Sequence, residues 1–196
     1  MEIKTIVSIV AGILVLVSYF FYIKSILKGK SRPHVFTWGL WAVIVFILFL
    51  LQRSSGAGFG SLPTLVVAIL CLVILILSLI KESNKNIRTI DIVFLIITIL
   101  AIPIWVLAKA PMISTMLLIV VYSLAGEATI RKSWIDPYSE IITLWAINSL
   151  RALLSIFALA KFNFITLAFP VLVFLSATSF AVMLILRRRY ILRLKK

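Results

Sequence analysis

The segment from Leu62 to Ile80, LPTLVVAILCLVILILSLI, carries no charged residue, and apolar runs of similar length recur along the chain. At a rise of 1.5 Å per residue, about 18 apolar residues cross the ~30 Å hydrocarbon core of a bilayer as a helix. In hydrocarbon every backbone N–H and C=O must be paired within the protein, which leaves helices and closed barrels as the options. A barrel strand would alternate apolar and polar residues over about ten positions, and no such alternation occurs here. The 196 residues are 63% hydrophobic and 13% charged, against roughly half apolar and a quarter charged in a water-soluble domain. The class is an all-α polytopic membrane protein.

Seven spans are predicted, at 5–23, 35–52, 62–80, 91–108, 112–127, 141–160 and 163–186. The first reads as a retained span, because it exceeds a signal-peptide apolar core and no small-x-small cleavage site precedes Lys24. An odd number of spans puts the termini on opposite faces. One face then receives Lys24, Lys28, Lys30, Arg32, Lys81, Lys85, Arg88, Arg131, Lys132 and the tail cations Arg187, Arg188, Arg189, Arg193, Lys195 and Lys196. The other receives Lys4, Arg53, Lys109 and Lys161. Positive residues accumulate on the cytoplasmic side, so the N-terminus is predicted outside and the C-terminus inside. The net charge of +14 is thus assigned to topology and to anionic lipid at the cytoplasmic face. A nucleic-acid partner is not expected.

The stretch SYFFYIKSILKGKSRPHVFTWGLW (18–41) has a shorter counterpart in SLAGEATIRKSWIDPYSEIITLW (123–145). In each, a helix ends in a basic loop, and a proline (Pro33, Pro137) precedes a tryptophan (Trp41, Trp145) by the same eight residues. Such self-similarity implies two structural repeats. We divide the chain into a three-helix repeat at 1–80, a loop and linker span at 81–110, a second repeat at 111–186 and a basic cytoplasmic tail at 187–196. An odd linker span lets the two repeats insert in parallel, a 3+1+3 arrangement.

Several residues stand out. Pro33 suits a first-turn position, where a missing N–H costs nothing. Trp38 reads as a member of an interfacial aromatic belt. Thr37 and Trp41 share a helix face that Gln52 continues; Trp41 fits either the belt or a pocket wall. Pro103 and Pro170 lie within spans and are expected to bend them. In the sixth span Trp145, Asn148 and Arg151 follow at intervals of three. Arg151 lies about 16 Å in from the cytoplasmic boundary. A charge at that depth costs several kcal/mol unless it faces a cavity or a partner, which makes it a functional-site candidate. The bland reading pairs Arg151 with Glu127 or with backbone carbonyls. Tyr122 falls at the same depth. Trp41, Thr37, Tyr122, Trp145, Asn148 and Arg151 are therefore the candidate solute-binding residues, with Glu127 and the four prolines as structural or gating elements.

Other chemistry has no support in the sequence. Cys71 is alone within an apolar run and reads as a packing residue. His34, the single histidine, sits in a loop, so no metal triad or histidine relay can be assembled. No lysine lies mid-span to activate a serine. The turn SSGAGFGS (54–61) lacks the Gly-Lys-Ser/Thr ending of a phosphate loop. Neither an enzyme nor a cofactor is expected.

The three–one–three pattern with a repeated basic loop resembles the PQ-loop superfamily, which includes the SWEET and SemiSWEET sugar transporters. More closely, YIKSILKGKSRPHVFTWGLW, the GAGFGS turn, TIRKSW and the following Pro137 to Glu140 resemble uncharacterised bacterial inner-membrane proteins in or near that group. The Pro-Gln position of the superfamily falls at Phe21–Tyr22 and Ala128–Thr129. The sugar transporters' pocket asparagine on the third helix of each repeat has no counterpart within 62–80 or 163–186 beyond Asn163 at the edge. The resemblance implies a transporter of a small polar solute, working by alternating access at a midplane site between the repeats, with Arg151 favouring an anionic group. Substrate and oligomeric state are not specified by the sequence. The alternative is a receptor or scaffold that keeps the fold without transporting.

Overall fold

The computed structural model describes residues 2–31, 33–81 and 89–194. Arg32, the greater part of the polar connector (82–88) and the last two tail lysines therefore lie outside the described residues. Among these residues there are eight α-helices, one 3-10 turn and no strand. Five helical stretches are long and apolar enough to cross a membrane: Ile3–Leu27, Val35–Ser54, Gly58–Ile80, Pro111–Ile135 and Phe164–Leu192. Ile92–Val106 and Ile142–Ala158 are shorter apolar helices.

Helix α1 (Glu2–Leu27) buries Ala11, Val15, Tyr19, Tyr22 and Ile26, spaced by threes and fours, while Ile6, Ile13, Leu16 and Phe20 stay exposed on the other face. A helix that is apolar all round belongs in hydrocarbon. It ends where Gly29 takes φ +69°, letting the N–H of Lys30 reach the carbonyl of Ser25 (3.0 Å), a left-handed cap that glycine adopts without a Cβ penalty. Helix α2 (Val35–Ser54) is capped by His34, whose Nδ1 accepts from the Thr37 N–H. Pro33 lies outside the helix rather than in its first turn, because the histidine ring already occupies the capping role. A 3-10 turn (Gly58–Ser61) leads into α3 (Leu62–Ile80), with Pro63 in its first turn.

Helix α4 (Thr89–Val106) contains Pro103, and α5 (Pro111–Ala125) opens on a proline. The chain bends at Gly126 and continues as α6 (Glu127–Ile135), where the sequence suggested a loop. No proline or glycine interrupts 127–135, and Glu127 pairs with Arg131 one turn on (3.5 Å), which supports a helix. Pro137 then forces Asp136 into extended backbone (φ −121°, ψ 90°) and ends it. Helix α7 (Ile142–Ala158) follows. The last helix, α8 (Phe164–Leu194), runs past Pro170 and through the arginine triplet. Its 31 residues span roughly 46 Å, so the basic tail is a helical extension rather than a separate element.

Helix α3 packs against both α1 and α2, and α8 against both α7 and α5. Between these triplets, α1 lies on α7 and α2 on α5, while α4 covers α5 and α2.

The two ends of the bundle are closed differently. At the 54–61 end, the Ala160 N–H donates to Ala57 O (3.1 Å), Asn163 Nδ2 to Ser55 O (3.1 Å) and Gln52 Nε2 to Thr166 O (3.2 Å). Gly60 lies so close to the α7–α8 connection that a Cβ there would stand 2.7 Å from both Ala158 O and Leu159 Cα. At the arginine end, the Glu140 carboxylate is 1% exposed. Its Oε1 accepts from Lys132 Nζ (2.7 Å) and from the Tyr22 hydroxyl (3.4 Å). Arg188 donates from Nη2 to Glu140 O (2.6 Å) and from Nε to Pro137 O (3.0 Å).

Candidate functional site

Two adjoining cavities lie between the triplets. The inner chamber has about 20 Å³ open to the centre of a water molecule and is walled by Tyr19, Trp38, Trp41, Tyr122, Trp145 and Arg151, with Asn148 and Ser176 among its other residues. That is room for one or two waters. The second, of about 370 Å³, lies between α5–α6 and α8 and includes Ser123, Gly126, Thr129, Phe180 and Met183. Trp41, Tyr122, Trp145 and Ser176 line both, so these four residues form the boundary, or neck, at which the two meet.

Aromatic packing fixes the walls. Trp41 stacks on Tyr122 with centroids 5.1 Å apart and planes 23° apart, and its Nε1 donates to Tyr122 O (3.1 Å). Tyr122 meets the edge of Phe169, and Trp145 leans on Phe180 at 4.3 Å. Trp38, 4% exposed, touches the rings of Tyr19, Tyr22 and Trp41. It is a core residue and not part of an interfacial belt, because α1 and α5 enclose the face of α2 that it shares with Trp41.

Arg151 is 2% exposed. Its Nε donates to Asn148 Oδ1 (2.9 Å), one turn earlier. Among the described residues no carboxylate pairs with it: Glu127 is engaged by Arg131 and Glu140 by Lys132. A buried charge carries a desolvation cost of several kcal/mol, which an opposite charge normally offsets. Here that counter-charge is missing from the described part of the chain, and the guanidinium faces a cavity instead.

Of the six residues singled out as solute-binding, Trp41, Tyr122, Trp145, Asn148 and Arg151 share this chamber. Thr37 does not line it; its Oγ1 donates to Ala125 O (3.3 Å) and approaches His34 Nδ1, tying α2 to the end of α5. Pro33 precedes the start of α2 and Pro137 follows the end of α6, while Pro103 and Pro170 lie in α4 and α8. Tyr19 and Trp38 also belong to the chamber, although sequence reasoning passed over Tyr19 and assigned Trp38 to the belt. The signal was present, since Tyr19 continues the stripe of Ala11, Val15 and Tyr22 on α1. Among the described residues no group of three or more His, Cys, Asp or Glu could hold a metal ion.

No family model, curated protein or solved structure matches the chain. Function therefore rests on the site.

Proposed function

We propose that the protein is a seven-span, two-repeat membrane transporter that moves a small solute by alternating access through the Arg151 chamber. Orientation follows the positive residues: N-terminus outside, C-terminal arginines in the cytoplasm, where they meet anionic lipid. The helix order supports the repeat reading. In each triplet the third helix touches the other two, and across the bundle the first helix of each triplet meets the second of the other, α1 on α7 and α5 on α2. That is the pattern a pseudo-two-fold axis along the membrane normal generates in parallel-repeat transporters.

The observation that carries the proposal is the buried guanidinium of Arg151, without a carboxylate partner among the described residues, at a cavity walled by both triplets. An intramembrane ionisable group that faces a cavity marks a solute or ion pathway by default. The asymmetry of closure fits one state of such a cycle. The 54–61 end is sealed by hydrogen bonds to backbone carbonyls and by Gly60, while the larger cavity lies on the arginine side of the neck.

The small volume around Arg151 is what favours the competing reading, a receptor or scaffold with a sealed core. A thermal-shift screen of sugars, amino acids and organic anions on detergent-purified protein separates the two, because a ligand that binds the folded state raises the melting point by mass action. A shift lost in folded Arg151→Ala supports transport through this site. No shift from any class, with Arg151→Ala merely unstable, would favour the receptor or scaffold.

A further inference from the structure

The polar groups left over around the two cavities share one property: each is able to donate a hydrogen bond. Trp145, which lines both cavities, has its Nε1 buried with no hydrogen-bond partner among the described residues. The Asn148 oxygen is taken by Arg151 Nε, which leaves the amide N–H groups to donate elsewhere. Neither that amide nitrogen nor the Tyr122 hydroxyl has a partner among the described residues. With the Arg151 guanidinium, this makes four donors around a space without a lining carboxylate. Leaving a buried donor such as Trp145 Nε1 unpaired costs about 1–3 kcal/mol, and an acceptor brought from outside would satisfy it together with the other three.

The remaining lining sets the rest of the ligand. Below the neck the 370 Å³ cavity is walled by Tyr122, Trp145, Phe180, Met183, Ile130 and Trp41, and serine and threonine hydroxyls also line it. A volume of that order holds a small organic molecule. Among the described residues the lining has no carboxylate to receive the ammonium of an amino acid, and the surface of the larger cavity is mostly apolar, which matches a sugar's hydroxyls poorly.

We infer that the transported solute is an organic monoanion with an apolar body, its anionic head held by Arg151, Trp145 Nε1, Asn148 and Tyr122 and its body lodged between Trp145, Phe180 and Met183. This deepens the transport reading and rests on it for the word "transported"; the binding claim stands separately. The same chemistry is offered by a free aromatic acid and by a fatty acid arriving from the membrane.

The test is tryptophan-fluorescence titration of purified protein with benzenesulfonate, which stays charged at every working pH. Benzyl alcohol (body alone), methanesulfonate (head alone), phenylalanine (zwitterion) and decanoate (membrane-borne anion) complete the set. Benzenesulfonate should bind at least about tenfold more tightly than benzyl alcohol, methanesulfonate or phenylalanine. Arg151→Gln should weaken it about 100-fold and Trp145→Phe, which keeps an aromatic ring but loses the indole N–H, about tenfold, with benzyl alcohol unchanged. Met183→Trp should weaken benzenesulfonate while leaving methanesulfonate unaffected, a result that does not depend on Arg151→Gln folding. Tighter binding of decanoate than of benzenesulfonate would identify the membrane as the source of the same anion class. Phenylalanine or a neutral ligand binding as well as benzenesulfonate, or Trp145→Phe leaving the anion's affinity intact, would overturn the inference. Anion binding without vesicle flux would leave it standing and overturn the transport reading instead.

Discussion

Replacing Gly60 with alanine should loosen the seal at the 54–61 end. The new Cβ would stand 2.7 Å from Ala158 O, 2.7 Å from Leu159 Cα and 2.9 Å from Ala158 C. All three are backbone atoms, so no side chain can rotate away and the two connections must separate. Overpacking of this kind costs about 1–3 kcal/mol. For a chain of this length each kcal/mol lowers the melting temperature by roughly 2–4 °C, giving a fall of roughly 2–12 °C. The control is Gly12→Ala in α1, where an added Cβ meets nothing within 4 Å and alanine is the better helix former. It should leave the melting temperature unchanged or raise it. Thermal unfolding in detergent, followed by tryptophan fluorescence, measures both. A Gly60→Ala protein as stable as the wild type, or equal losses in the two variants, would refute the close packing of these connections.

Three further outcomes follow from the described contacts. Trp38→Ala should cost about 3–5 kcal/mol, as expected for a large core aromatic, and its loss would show as a markedly lower melting temperature; an interfacial tryptophan would tolerate the change. Glu140→Gln removes the charge that holds Lys132 at 2.7 Å and should cost about 1–3 kcal/mol. Combined with Lys132→Met it should cost less than the two single losses added, as a double-mutant cycle on coupled groups requires. Cysteines placed at the exposed Phe59 and Tyr190 report orientation, since native Cys71 is buried. An impermeant maleimide should label Phe59→Cys on intact cells and Tyr190→Cys only after permeabilisation; the reverse pattern would invert the proposed topology.

The membrane class and the helix positions were legible because hydrocarbon constrains sequence so strongly: long uncharged runs have few alternatives. Trp41, Tyr122, Trp145, Asn148 and Arg151 could be grouped by depth alone, since helix rise converts sequence position into height. Depth does not reveal which face a residue turns to when the whole helix is apolar. That is why Trp38 was read as a belt residue and Tyr19 was passed over. Non-local contacts were also hidden. Nothing near Gly60 in sequence announces that Ala158 and Leu159 pack on it, and nothing near Glu140 announces Tyr22, which lies on the other triplet. The α6 helix was obscured by its charges, which suggested a loop until the Glu127–Arg131 pair gave them a helical purpose.

The most direct test of the central claim is entrance counterflow in proteoliposomes preloaded with benzenesulfonate and diluted into labelled benzenesulfonate. Transport through the Arg151 chamber predicts transient accumulation of label by wild-type vesicles and none above protein-free vesicles for Arg151→Gln. Wild-type protein that binds benzenesulfonate in detergent yet accumulates no more label than protein-free vesicles would contradict it, and would leave a closed anion-binding protein in place of a transporter.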